Sequence, residues 1–364
     1  MNKKVIVCGG GTGGHVFPAI SIANALRRLA PEVDILFVGA EGKMEMEKVP
    51  EAGYKIIGLP VKGFRRSLTF SNIRVLLDLF RSLRRAKTIV KDFKPDVVVG
   101  VGGYASGPVG MVAAKMGIPL ILQEQNSFPG VTNRFLSKKA MKICVAYDGM
   151  ERFFEQDKII KTGNPVRKDL LDSVSRRSDG ITFYGLDESR KTVLITGGSL
   201  GAETINNAVV NSLSDIANWS DVQIVWQCGS RYYDKLSAEL DGKLPKNVKI
   251  VPFLKRMDLA YAVADIVVAR AGASTVSELC LLKKATILIP SPNVAEDHQT
   301  KNARALSDKG AAIMLSDADA ELGLCRVLKE LSSDAEKIRA LQNKIVDFAV
   351  RDSDEIIAKH VLNV

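Results

Sequence analysis

A chain of 364 residues, 46% hydrophobic and 25% charged, is long enough to bury two ordinary cores without disulfides or metals, which sets aside disordered and disulfide-stapled classes. Five cysteines (Cys8, Cys144, Cys228, Cys280, Cys325) without a C-x-x-C pair read as reduced thiols of a cytoplasmic protein, and three histidines are too few for a His-rich metal enzyme. The net charge of +10 is lopsided: residues 1–163 carry +11 and residues 164–364 carry −1, so the first half is suited to an anionic surface, nucleic acid or anionic lipid.

In chain order, short apolar runs predict strands at 5–8, 35–38, 54–59, 96–99, 120–122 and 143–146, with helices between them. Runs without polar alternation suit strands covered on both faces, hence a parallel sheet. The pattern restarts with strands at 192–195, 222–226, 249–251, 266–269, 286–289 and 312–315. The expected fold class is α/β: two doubly wound Rossmann-like domains facing across a cleft. The expected boundaries are an N-terminal domain over 1–163, a polar linker region over 164–189 and a C-terminal domain over 190–364, the last helix packing back on the first domain. No stretch approaches ~18 uninterrupted apolar residues, and the apolar core after Met1 is too short for a signal peptide.

Ligands of such sheets bind beyond the carboxyl ends of the strands, and the glycine-rich loops fall there. The first is Gly9-Gly10-Gly11-Thr12-Gly13-Gly14-His15, between a strand and a helix. Its N–H groups and the helix N-terminus suit an anion. It matches a dinucleotide loop poorly, because Glu41 comes later than a ribose-binding acid should, and because it carries a histidine. The second loop runs from Gly100 through Gly102, Gly103, Tyr104 and Ser106 to Pro108. The third is Gly197-Gly198-Ser199-Leu200-Gly201-Ala202.

The fourth runs from Arg270 to Glu278 and opens a helix near Gly272. Thr275 and Glu278 fit a T-x-x-E capping box; alternatively Glu278 accepts ribose hydroxyls. The fifth, around His298-Gln299-Thr300-Lys301-Asn302, concentrates the amide and imidazole groups that sugar hydroxyls need. Polar strand ends also occur at Gln123-Glu124-Gln125-Asn126 and at Gly163-Asn164-Pro165-Val166-Arg167. Two D-x-D pairs, at Asp317 and Asp352, lie far from the glycine loops, so no metal site is expected.

The stretch 62–94 holds ten Lys/Arg against two Asp. It reads either as a core-packed helix with a basic outer face or as a membrane-surface helix. Few aromatic residues there could stack on bases, so nucleic acid is not the expected partner.

Taken in order, the first, third, fourth and fifth loops with Gln125-Asn126 and 163–167 resemble the MurG family, the undecaprenyldiphospho-muramoylpentapeptide β-N-acetylglucosaminyltransferases, over essentially the whole chain. The resemblance implies a GT-B enzyme that transfers GlcNAc from UDP-GlcNAc to lipid I, with inversion, giving lipid II of peptidoglycan. It also implies a peripheral protein of the cytoplasmic membrane face with no metal required in its active site. Carried over, Ser199 and the Ala273, Ser274, Thr275 turn hold the donor diphosphate; Leu254 meets uracil through its backbone; Glu278 binds ribose; His298 and Gln299 bind GlcNAc hydroxyls. Thr12, Gly13, Gly14, Asn126 and Arg167 touch the donor as well, and Gly103, Tyr104 and Ser106 are set against the acceptor diphosphate. His15 is the candidate general base, an ordering role being equally allowed. Leu79, Phe80, Arg81, Arg84 and Arg85 are the expected membrane-facing group. Rivals are a diacylglycerol glycosyltransferase, a UDP-GlcNAc 2-epimerase, a non-catalytic nucleotide-sugar module and a nicotinamide dehydrogenase.

Overall fold

The computed structural model describes residues 2–61, 71–198 and 200–364. Ser199 and residues 62–70 of the basic stretch lie outside the described residues, as do the side chains of residues 71–77. The chain divides into two compact units, Met1–Val166 with Val350–Val364, and Arg167–Ala349.

The first unit is built on seven parallel strands: β1 Lys4–Cys8, β2 Asp34–Ala40, β3 Lys55–Leu59, β4 Val97–Gly100, β5 Leu120–Glu124, β6 Lys142–Val145 and β7 Ile159–Lys161. Their order is β3-β2-β1-β4-β5-β6-β7. Alternate residues feed opposite faces of the sheet. Ile6, Leu36, Val98 and Leu122 enter one apolar cluster, while Val5, Phe37, Val99 and Ile121 enter another. Both faces are covered, which is why the strands read as unbroken apolar runs.

Strand order reverses between β1 and β4, the switch point at which such sheets bind ligands. Cys8 pairs with Gly100 there, so the first and second glycine loops leave the sheet side by side.

The second unit has six parallel strands: β8 Lys191–Thr196, β9 Val222–Gln227, β10 Val248–Val251, β11 Ile266–Ala269, β12 Ala285–Leu288 and β13 Ile313–Met314. The order is β10-β9-β8-β11-β12-β13, with its own switch between β8 and β11. Thr196 pairs with both Gln227 and Ala269, so the third and fourth loops also emerge level.

Residues 164–189, expected as a linker, carry helix Arg177–Tyr184, and this helix is built into the second unit. Tyr184 Oη donates to the Arg256 carbonyl at 3.1 Å, and Arg176 pairs with Asp258 at 3.1 Å. The polar character that suggested a linker belongs to its outer face.

The last helix, Ser353–Leu362, belongs to the first unit. Ile357, Ala358 and Val361 are fully buried in the cluster that holds helix Gly13–Leu29. Arg28 also pairs with Asp354 at 2.8 Å and Glu355 at 3.2 Å. A half-exposed ion pair contributes about 0.2–1 kcal/mol, whereas each large buried aliphatic side chain contributes about 1.5–3 kcal/mol. Apolar burial therefore dominates the attachment.

Candidate active site

In the first unit, β1 runs into the glycine loop and then into helix Gly13–Leu29. A Cβ at Gly103 of the second loop would overlap the Gly10 carbonyl, so the two loops meet backbone to backbone. Gly10 N–H donates to the Gly102 carbonyl at 3.3 Å. Thr12 is the N-cap residue of the helix, yet its side chain makes no capping bond. Its hydroxyl instead meets His15 Nδ1 at 3.0 Å. The N–H groups of Gly13 and Gly14 thus lie at the positive end of the helix without a side-chain cap, a setting that suits an anion.

His15 is half-buried, and its Nε2 edge turns toward Gly102, 3.0 Å from the place a Cβ would take there. In the second loop, Ser106 Oγ donates to the Gly103 carbonyl at 2.9 Å, which fixes the turn, and Tyr104 is 56% exposed.

Beneath these loops lies a polar cluster of which the sequence singled out only Asn126 as a ligand contact, the rest reading as a polar strand end. Glu124 is 1% exposed. Its carboxylate accepts from Asn126 N–H at 3.1 Å, Asn126 Nδ2 at 3.3 Å, Gly130 N–H at 3.1 Å and Asn133 Nδ2 at 2.9 Å. Burial pushes its carboxyl above the usual range, against the pull of those donors. Asn126, a predicted donor contact, is therefore oriented by a carboxylate behind it. Gln123 donates to Asn164 at 2.9 Å and Asn164 donates to the Gln125 carbonyl at 2.9 Å, which ties Asn164 to the same cluster.

In the second unit, a Cβ at Gly201 would overlap the Cys228 carbonyl, so the third loop sits directly on the end of β9. Thr196 Oγ1 donates to Gln227 Oε1 at 2.5 Å and accepts from Gly198 N–H at 3.1 Å, which fixes the start of the third loop.

The fourth loop ends at Gly272, the N-cap residue of helix Ala273–Leu281. Thr275 is therefore already inside the helix, and the capping-box reading of Thr275 and Glu278 does not hold. Glu278 Oε2 instead accepts from Tyr261 Oη at 2.9 Å. Tyr261 is almost fully buried, and burial, reinforced by Glu278, pushes its phenol well above the ordinary range, while the Arg167 guanidinium draws it down. Arg167 thus projects its charge toward this pair. Ser274 Oγ is buried with no hydrogen-bond partner among the described residues, at the open end of the helix.

Arg270 donates to the Ile289 and Pro290 carbonyls at 3.1 and 3.2 Å and pairs with Asp317. Asp317 also accepts from Thr204 at 3.0 Å. The first acid of that D-x-D pair is a brace joining the fourth loop to the helix after the third. Among the described residues no cluster of His, Cys, Asp and Glu could hold a metal ion.

Leu254 is buried beside the half-exposed Phe253. Gln299 accepts Ser291 N–H at 2.9 Å through its oxygen, which leaves its amide N–H groups to meet a ligand. His298 opens helix His298–Ser307 and is half-buried. Asn302, fully buried in that helix, donates to the Ala271 carbonyl at 3.2 Å and couples the fifth loop to the fourth.

The basic stretch contains helix Ser71–Phe93. Ala86, Ile89 and Val90 are core residues, and Leu83 packs on them. Phe80 is 57% exposed with the Arg84 guanidinium 4.8 Å from its ring centroid, and Arg81 is exposed. Arg85 is held by Glu41 at 2.6 Å, and Leu79 is half-buried. Phe80, Arg81, Arg84 and Arg85 are thus all exposed, Arg81 lying 3.6 Å from Asp78. Among the described residues no helix is long and apolar enough to cross a membrane.

Residues 5–145 match the glycosyltransferase family 28 N-terminal domain, and residues 192–356 match the family 28 C-terminal domain. The UDP-N-acetylglucosamine–N-acetylmuramyl-(pentapeptide) pyrophosphoryl-undecaprenol N-acetylglucosamine transferase of Bacteroides fragilis is 54% identical over 361 residues, covering 99% of this chain and 95% of that protein. The enzyme of the same name from Parabacteroides distasonis is 52% identical, covering 99% and 98%. Among solved structures, Acinetobacter baumannii MurG superposes with a TM-score of 0.79 at 28% identity over 100% of both chains. A UDP-GlcNAc 2-epimerase from Neisseria meningitidis reaches 0.70 at 14% identity over 100% of both chains, a likeness of fold alone. With relatives this similar over their full length, the chain belongs to the MurG family, the GT-B N-acetylglucosaminyltransferases of glycosyltransferase family 28.

Proposed function

We infer that this protein transfers N-acetylglucosamine from UDP-GlcNAc to lipid I, undecaprenyl-diphospho-MurNAc-pentapeptide, forming lipid II with inversion at the anomeric carbon. The observation that carries this reading is the full-length match to relatives named for the transfer.

The second unit takes the donor. Glu278, held by Tyr261, accepts ribose hydroxyls. The backbone at Leu254 reads uracil. The N–H groups of Ala273, Ser274 and Thr275 at the helix start, with Ser199 and Arg167, receive the diphosphate. Gln299 and His298 hold the sugar, with Asn126, Thr12, Gly13 and Gly14 completing its contacts. The first unit takes the acceptor, with Gly103, Tyr104 and Ser106 at its diphosphate.

In the reaction the acceptor hydroxyl oxygen bonds to the anomeric carbon as the bond to the UDP oxygen breaks. His15 takes the hydroxyl proton at Nε2, in the tautomer whose Nδ1–H donates to Thr12 Oγ1. The charge gathering on the departing diphosphate is met by preorganised N–H groups and Arg167, so the proposed site needs no metal. Because the acceptor is anchored in lipid, the enzyme works as a peripheral protein on the cytoplasmic face, with Phe80, Arg81, Arg84 and Arg85 turned to the anionic leaflet and no role for nucleic acid. Radiolabel transfer from UDP-GlcNAc to a lipid I analogue tests the reading. Failure of transfer, or conversion of UDP-GlcNAc to its 2-epimer, overturns it.

A further inference from the structure

The acid that reaches the first glycine loop is not Glu41, at the end of β2, but Glu45, which opens helix Glu45–Glu51. Glu45 is 1% exposed. Its Oε2 accepts Gly11 N–H at 2.9 Å, and its Oε1 accepts Ala40 N–H at 2.9 Å. Among the described residues no lysine or arginine pairs with it. Burying a carboxylate without a cation is costly, and hydrogen bonds are what make it tolerable. Two neighbouring glycines make room for it. A Cβ at Gly10 would overlap the carboxylate, and a Cβ at Gly39 would lie 2.5 Å from Glu45 Cγ.

We propose that Glu45 is a positioning residue of the transfer reaction: it serves as the built-in anion of the first glycine loop and so fixes Thr12 and His15. This rests on the function proposed above. The three glycines 9–11 all have positive φ and, unanchored, wander over a wide conformational range. Thr12 and His15 follow directly, and the proton acceptor can only be as well placed as the loop that carries it. Glu45 also consumes the Gly11 N–H and places a negative charge beside it. A substrate phosphate is thereby kept off Gly11.

Two variants reach Glu45 from different sides. In Glu45→Gln an amide N–H₂ faces one backbone N–H, donor against donor. Gly39→Ala pushes on Glu45 Cγ from within β2 and leaves the loop's own sequence intact. Each should lower kcat roughly 10- to 100-fold, the scale of a small misplacement of reacting groups. Each should still bind one UDP per chain, within about twofold of parental affinity, since UDP contacts lie in the other unit. Amide hydrogen exchange over residues 9–16 should rise in both.

A parental kcat in Glu45→Gln overturns the proposal, as does a loss of kcat matched by an equal loss of UDP-binding stoichiometry, which would mark general unfolding. Should the parent protein itself fail to glycosylate the lipid I analogue, the functional reading falls. The exchange measurement then decides the anchoring on its own, and unchanged protection of residues 9–16 in Glu45→Gln overturns it.

Discussion

Replacing Glu278 by alanine perturbs two things at once, and the structure allows them to be separated. The carboxylate accepts the Tyr261 hydroxyl at 2.9 Å, and that ring is almost fully buried. Truncation strands a buried donor, at a cost of about 1–3 kcal/mol in stability. At about 2–4 °C per kcal/mol for a domain of this size, the melting temperature should fall visibly. On the proposed ribose role, the same change should also remove charged hydrogen bonds worth about 1.5–3 kcal/mol, or roughly a 10- to 100-fold rise in the UDP dissociation constant. Adding Tyr261→Phe removes the stranded hydroxyl. The double variant should regain most of the lost stability and none of the lost affinity. Thermal unfolding and calorimetric titration with UDP measure the two effects separately. Refutation would come from a double variant that binds UDP within about threefold of the parent, because Glu278 would then serve Tyr261 and not the nucleotide.

His15→Ala should lower turnover at saturating acceptor by ~10²–10⁴-fold while leaving UDP affinity unchanged. Thr12→Val, which removes the orienting hydroxyl at Nδ1 and its proposed sugar contact but keeps the imidazole, should cost less; equal losses would argue that His15 orders the loop and does not accept a proton. Reversing charge at Arg81 and Arg84 should weaken binding to anionic vesicles by roughly 30-fold or more, from about 1 kcal/mol per basic residue, and should spare a short-chain soluble acceptor. Reversal at Arg85 would break its pair with Glu41 at 2.6 Å, a closer contact than the 3.6 Å between Arg81 and Asp78, so Arg85 is left in place; parental vesicle affinity in the double reversal would acquit this helix of docking. Lys284, which donates to the Ala264 carbonyl, is pushed down by burial to about 8 from 10.5. Between those pH values the unfolded chain holds a proton that the folded one has shed, so stability from this group rises with pH across that window and its penalty is fully present below it. Lys284→Met should flatten that rise in denaturant melts taken from pH 7 to pH 10; an identical slope in the variant would rule the assignment out.

What could be read from the sequence followed from short-range regularity. Strands covered on both faces, such as 5–8 and 266–269, announce themselves as apolar runs leading into glycine-bearing loops. The strand Ile159–Lys161 escaped because it is a three-residue, half-exposed edge strand. Helix Arg177–Tyr184 escaped because it is short and largely polar. The site residues that were missed act across distance in the chain. Tyr261 reads as one more apolar position of a buried helix until Glu278 is found against it, 17 residues on. Asp317 looks like half of a metal pair until Arg270 is found 47 residues before it. Glu45 has no local signature, since nothing nearby in sequence reveals that its carboxylate turns back onto Gly11. The capping box failed for a more local reason: Gly272 starts the helix three residues earlier than the motif requires.

The return of helix Ser353–Leu362 to the first unit has a consequence for how the protein is made. The second unit is one continuous piece of chain and can close as soon as it has left the ribosome, whereas the first must wait for its final helix. At about 5–20 residues per second, translation of residues 167–349 takes about 10–40 s. Throughout that interval the apolar surface later covered by Ile357, Ala358 and Val361 is open to solvent. The half of the molecule synthesised first is therefore the half completed last. A nascent chain stalled after residue 349 presents an unfinished first core to chaperones and proteases, even while the second unit is already folded.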